Sequence, residues 1–283
     1  MPKPNLSSLD QHQQECAKLM RENCHRHRLH EVFRDFCELS ALSFSNAVDK
    51  LQFETREARY LDIAKRYERE ELNRFARMLA CVTLSLEGGF KDCLGELFMT
   101  LELGDHWRGQ YFTPYTVAYL MAKMTMGTSR SDIEAVGGFI TLSEPTVGAG
   151  GMVIAAAQAL HEEGINYQQC LHVTAQDIDA TAVHMAYIQL ALLHVPALVI
   201  HGDSLACSCW EHWATPAHVL GFWDIRLKRR ADARIEGVQV SASAEPETAV
   251  VAQAAPSVAA AIDETRTIIV ADRITRGDQM SLF

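Results

Sequence analysis

A parallel α/β sheet behind a helical N-terminal region is the fold class that this sequence predicts, and three observations predict it. Residues 10–105 place apolar side chains at three- and four-residue steps, the period of one helix face. Beyond them, short apolar runs alternate with helix-like stretches at the spacing of strand–helix–strand units. Each of those runs ends in glycine or acidic residues, which is where ligands bind at the carboxyl edge of an open parallel sheet.

The elements follow in order. Leu29, Val32, Phe33, Phe36, Leu39, Leu42 and Phe44 form one helical stripe. In residues 53–86, rich in Glu, Arg and Ala, the stripe is Tyr60, Ile63, Tyr67, Leu72, Phe75 and Leu79, and Gly88-Gly89 ends the segment. The first strand is Phe139-Ile140-Thr141-Leu142, leading through Glu144-Pro145 into a glycine turn and a helix over 152–160. The second is Leu171-His172-Val173-Thr174-Ala175, closing on Gln176-Asp177-Ile178-Asp179. A helical stretch then runs to His194 and stops at Pro196, where the third strand, Ala197-Leu198-Val199-Ile200, begins and closes on Gly202-Asp203. A fourth strand is expected at 217–224; a complete sheet of this kind would need three more, for which only 234–240 and 265–270 could serve, so the sheet is expected to be abbreviated. Residues 241–265 are Ala, Ser, Val, Glu and Pro without an aromatic residue, the composition of a flexible linker. The expected division is a helical domain over 1–105, a nucleoside-binding domain over 106–240, a linker over 241–278 and a terminal peptide over 279–283.

Composition narrows the function. Apolar residues make up 48% of the 283, enough for a sizeable core. The formal net charge of −10 leaves no basic footprint over the whole chain, so a nucleic-acid surface has to be local. The densest basic patch is Arg226, Lys228, Arg229 and Arg230, read either as a solvated boundary or as a strip of phosphate contacts. No run of about 18 uncharged apolar residues exists and the first residues lack an apolar leader core, so neither a membrane span nor a secretory leader is expected. The eight cysteines are scattered through helical patterns and read as reduced thiols of a cytoplasmic protein. Cys207, Cys209 and His212, with His201 or His218 nearby, lack the paired spacing of a zinc site, so no metal is expected.

The chemistry gathers at the strand ends. Glu144-Pro145-Thr146-Val147-Gly148-Ala149-Gly150 turns tightly into a helix, its glycines permitting close approach of a ligand to the backbone. Its spacing is not that of the dinucleotide fingerprint, and no Lys-Ser/Thr pair follows as in a P-loop. Asp177, at the second strand end, suits bidentate hydrogen bonding to ribose hydroxyls. Asp203, at the third, could accept a hydrogen bond from an adenine amino group.

In these motifs and their order, residues 90–205 resemble S-adenosylmethionine-dependent adenine-N6 DNA methyltransferases, close to the modification subunits of type I restriction systems and to plasmid-borne orphan enzymes. Gly109-Gln110-Tyr111-Phe112-Thr113-Pro114 looks like the family's G-x-F/Y-x-T-P segment, which packs over the cofactor's methionine end. The turn from Glu144 and Pro145 to Gly148 and Gly150 looks like its D/E-P-x-x-G-x-G segment. Asp177, followed by Ile178, matches the ribose-binding acid, and Gly202-Asp203-Ser204 matches the segment beside the cofactor adenine. Leu94-Gly95-Glu96-Leu97-Phe98 resembles the helical run ahead of these motifs. The resemblance implies a Rossmann-like class I methyltransferase sheet, S-adenosyl-L-methionine as cofactor, and DNA as substrate.

The sequence departs from the family where the target base is held. No N-P-P-Y/F or D-P-P-Y/F tetrapeptide occurs; at the expected distance stands Ala217-His218-Val219-Leu220-Gly221-Phe222-Trp223-Asp224. A substitute site would use Asp224 as acceptor for the target amino group and Phe222 or Trp223 as stacking plate; the alternative is an ordinary strand with core aromatics. With no room for a recognition domain after residue 230, the expectation, unless another subunit supplies specificity, is relaxed specificity on DNA that is at least transiently single-stranded, as in a mobile element protecting its DNA. The competing expectation is a catalytically inactive cofactor-binding protein acting in anti-restriction or docking. Gln279-Met280-Ser281-Leu282-Phe283 resembles the bacterial sliding-clamp binding peptide, with Gln279 and Met280 ahead of the anchors Leu282 and Phe283.

Overall fold

The structure is a computed structural model that describes residues 6–104, 111–127 and 130–242, with side chains as far as residue 233. The chain divides into two compact units, Met1–Gly221 and Phe222–Phe283.

The first unit opens with five helices: α1 (Gln11–Glu22), α2 (Leu29–Val48), α3 (Phe53–Ala64), α4 (Arg69–Glu87) and α5 (Cys93–Thr100). Asp10 begins α1 with a capping box, its Oδ1 accepting the Gln13 N–H while Gln13 Oε1 accepts the Asp10 N–H. Burial pushes the Asp10 carboxyl up, but hydrogen bonds from Lys91, Ser85 and the Gln13 amide outweigh it and hold the group at about 2. The apolar stripe of α2 is buried at Val32, Phe33, Phe36, Leu39 and Leu42. The 53–86 segment is two helices, broken between Ala64 and Arg69, yet its stripe faces the core as its spacing predicts, with Ile63, Tyr67 and Phe75 buried.

Then come α6 (Tyr115–Thr125), α7 (Arg130–Ala135), β1 (Ile140–Glu144), α8 (Gly151–Glu162), the short α9 (Tyr167–Cys170), β2 (Leu171–Asp177), α10 (Ala180–Leu192), β3 (Ala197–His201), β4 (Glu211–Ala214) and α11 (Pro216–Leu220). The sheet order is β1-β2-β3-β4; β1, β2 and β3 run parallel, with Leu142 opposite Val173 and Ala175 opposite Val199. All three predicted strands are present and each runs one or two residues further toward its carboxyl end. Helix α10 is buried along nearly its whole length, and one continuous core joins α2, α4, α5 and α8 to the strands.

The fourth strand differs from expectation. β4 lies at 211–214, ahead of the predicted 217–224 segment, and pairs antiparallel to β3, with Val199 opposite Trp213. Residues 216–220 are helical because Thr215-Pro216 is a helix start: Pro216 occupies the first turn and the Thr215 side chain accepts the His218 N–H. The second unit contains α12 (Trp223–Ala242), which absorbs the strand candidate at 234–240 and the first two residues of the expected linker. A run of Arg, Lys, Ala and Glu favours helix over strand there. The strand candidate at 265–270 and the terminal Gln279, Met280, Leu282 and Phe283 lie outside the described residues.

Candidate functional site

The three parallel strand tips are tied to one another, and Asp177 is the knot. Its Oδ2 accepts the N–H of Gly148 at 2.8 Å, its Oδ1 accepts the N–H of Asp179 at 2.9 Å, and its carbonyl accepts the N–H of Gly202 at 2.9 Å. One residue therefore orients the glycine turn after β1 and the Gly202-Asp203 turn after β3. Burial raises the Asp177 carboxyl above the ordinary range, and the Asp179 and Gly148 amides offset part of that rise. Ser204 Oγ closes the ring by donating to the Pro145 carbonyl.

Glycine is required at two points of this edge. Gly148 has φ +56, and a Cβ there would stand 2.9 Å from the Phe112 ring, itself packed against Phe98 at 5.1 Å between ring centres. Gly202 has the Ser208 carbonyl 2.2 Å from where its Cβ would be. Thus Phe112 lies against the glycine turn, while Tyr111, Thr113 and Pro114 are exposed and Pro114 begins α6. Gly109 and Gln110 lie outside the described residues.

Glu144 ends β1 and accepts the Thr146 N–H at 3.2 Å. Asp203 Oδ1 accepts the amides of Leu205 and Ala206, at 2.9 and 3.1 Å, which shapes its own loop. Two apolar side chains stand in water at these tips, Ile178 at 62% exposure and Leu205 at 94%. His201 Nε2 lies 3.2 Å from the Ile178 carbonyl and its ring meets Trp210 edge-on at 4.9 Å.

A nucleoside fits this donor set. A carboxylate at the β2 tip answers ribose hydroxyls, exposed Ile178 and Leu205 answer the faces of a purine, and a left-handed glycine turn feeds the N-terminus of α8. The sequence did not reveal the support beneath the turn. Gln189 of α10 donates to the Ala149 carbonyl and to Asp92, the residue that begins α5. No local motif marks either residue, because the contact joins positions nearly a hundred residues apart.

The remaining candidates, apart from His218, belong to the second unit. Phe222 has φ +52 and is exposed; its carbonyl accepts the amides of Ile225 and Arg226 as α12 begins. The Arg226 guanidinium lies over the Trp223 ring, 3.6 Å from its centre. Asp224 is exposed in the first helical turn, where its charge suits the helix dipole, and Lys228 and Arg229 are exposed further along. Arg230 follows on the same helix. His218 is engaged by His172, with the two rings' nitrogens 2.9 Å apart, and among the described residues no group of three or more His, Cys, Asp or Glu could hold a metal ion. Among the described residues no helix is long and apolar enough to cross a membrane.

Residues 100–220 match the N-6 DNA methylase family. S-adenosylmethionine is the cofactor that the match implies, and every strand-tip residue described above falls within the matched segment. Among solved structures, a class I S-adenosylmethionine-dependent methyltransferase from Listeria monocytogenes is 15% identical, with a TM-score of 0.37 over 69% of this chain and 54% of that one. The methyltransferase subunit of a type I restriction-modification system from Streptococcus thermophilus is also 15% identical, with a TM-score of 0.33 over 69% and 58%. The chain thus spans little more than half the length of either. No curated protein matches it.

Proposed function

We propose that this protein is a cytoplasmic S-adenosylmethionine-dependent DNA methyltransferase that methylates adenine N6 with relaxed sequence specificity. The observation that carries the reading is the Asp177 knot at the carboxyl edge of the sheet, inside the segment that matches the N-6 DNA methylase family. The cofactor supplies an electrophilic methyl group on a sulfonium centre. Asp177 binds the ribose, Asp203 and Ile178 receive the adenine, and Tyr111, Phe112, Thr113 and Pro114 cover the methionine end beside Glu144, Pro145, Gly148, Gly150 and Ser204. Asp224 accepts a hydrogen bond from the target amino group and the exposed Phe222 stacks on the base, whereas Trp223 is buried beneath the Arg226 guanidinium and offers no free ring face. Arg226, Lys228, Arg229 and Arg230 contact phosphates.

Single-stranded DNA is the favoured substrate because a base already unpaired costs little to extrude. The terminal Gln279, Met280, Leu282 and Phe283 bring the protein to the sliding clamp, where single strands arise. Methyl transfer from labelled cofactor to single-stranded DNA, duplex DNA and RNA, followed by nucleoside analysis, tests the reading. N6-methyladenine formed fastest on single strands, and lost in Asp224→Ala with cofactor affinity intact, supports it.

A second reading is favoured by one observation. The sequence holds no N/D-P-P-Y/F tetrapeptide, and the segment at its expected distance is helical rather than a strand end. A protein that binds the cofactor without transferring its methyl group, serving in anti-restriction or docking, would show calorimetric binding and no methylated nucleoside.

A further inference from the structure

Behind the glycine turn lies a buried acid whose bonds the proposed reaction does not use. Asp92 is 4% exposed, and among the described residues no cation pairs with it. Its Oδ1 accepts the Gly95 N–H at 2.9 Å and Gln189 Nε2 at 2.8 Å. The same Nε2 donates to the Ala149 carbonyl of the turn at 2.8 Å, and Gln189 Oε1 accepts the Leu94 N–H at 3.0 Å. Gln189 itself is wholly buried. The carboxylate sits between two glycines: a Cβ at Gly95 would lie 2.0 Å from Oδ2, and one at Gly151, the first residue of α8, would lie 3.2 Å from it. A carboxylate so closely enclosed by Gly95 and Gly151, with both bonds to its Oδ1 coming from buried donors, is a built feature of the turn.

We propose that Asp92 and Gln189 are positioning residues, which hold the Ala149 carbonyl and the first turn of α8 in the shape that receives the cofactor, and that the ionised form of Asp92 holds it best. This rests on the cofactor-binding reading above. The ionised Oδ1 receives two charge-assisted hydrogen bonds, and protonation weakens both. Burial raises the Asp92 carboxyl to about 6, partly offset by the bonds from Gln189 and Gly95. The titratable groups around it are Glu96 and Cys93 on α5 and Tyr115 at the start of α6, while α10 presents the uncharged Gln189 and α8 presents Gly151. Glu96 also accepts from Gln13 of α1. As pH falls through about 6 the clamp slackens and cofactor affinity declines.

The test is calorimetric titration of the full chain with S-adenosylmethionine at about pH 8 and about pH 5, beside hydrogen exchange of the 147–152 amides without cofactor, for wild type, Gln189→Leu and Asp92→Asn. Wild type should lose affinity severalfold at the lower pH. Asp92→Asn should show the weaker affinity at both. Gln189→Leu should bind about tenfold more weakly at both and exchange the 147–152 amides faster. Unchanged affinity and exchange in a folded Gln189→Leu variant would overturn the proposal, as would a full pH response in Asp92→Asn. If Gln189→Leu fails to fold, the near-isosteric Asp92→Asn decides. If wild type binds no cofactor, the functional reading fails, and exchange at 147–152 still decides whether the clamp exists.

Discussion

Asp177 and Asp92 show two uses of a buried carboxylate. Asp177 spends both oxygens on backbone amides of neighbouring turns, so removing it loosens the turn and deletes the ribose acceptor together. Asp177→Ala is therefore expected to weaken S-adenosylmethionine binding more than tenfold, about 1.4 kcal/mol or more, as read by calorimetry on a folded variant. Asp92 carries a cost in the free protein. Its carboxyl is raised from 3.8 to about 6, chiefly by burial, so the unfolded chain gives up this proton more readily than the folded one. The sign follows: the group favours folding below about pH 4, and that contribution is lost as pH rises through about 6. Asp92→Asn should raise stability at about pH 8, by about 3 kcal/mol, with the gain vanishing near pH 4. A constant gain across that range in melting curves would sink this account. Stability would then increase where cofactor binding weakens, the usual trade at a functional site.

At the level of elements, the helix starts governed where the expected strand gave way. The Thr215 hydroxyl accepts the Ala197 N–H at 2.9 Å, donates to the Val195 carbonyl at 2.8 Å and accepts the His218 N–H at 3.3 Å. It fastens the beginning of β3 to the residue that starts α11, in a wholly buried position. Thr215→Val keeps the volume and strands those backbone groups, so denaturant unfolding should show a loss of about 2–3 kcal/mol. A loss below about 0.5 kcal/mol would mean that the groups find other partners. Thr-Pro is legible as a helix start in the sequence; what obscured it was the expectation, carried by the resemblance, of a strand at that distance. The antiparallel turn into β4 had no comparable signal, since 211–214 is short and Trp213 is placed by packing on Tyr187 and under Arg56 rather than by alternation.

For the molecule as a whole, the terminal peptide carries the remaining prediction. The last ten residues should bind purified sliding clamp in fluorescence polarisation, and the Leu282→Ala, Phe283→Ala double variant should not; equal binding of the two peptides removes the clamp from the account. A preceding stretch of roughly 30 residues would give a reach of about 30 Å if flexible, enough to sample nearby DNA while tethered. The sequence by itself determined the helical stripes, the three parallel strands and the strand-tip glycines and acids, because each is set by local period or by a short motif whose backbone demands few residues can meet. Only the tertiary structure decided that Asp177 clasps Gly148, that Phe112 closes on that glycine, that β4 returns antiparallel, and that Gln189 ties Asp92 to the turn. Those contacts join residues distant along the chain, and no periodicity encodes them. They exist because buried amides and carbonyls must find partners once the core has brought the elements together.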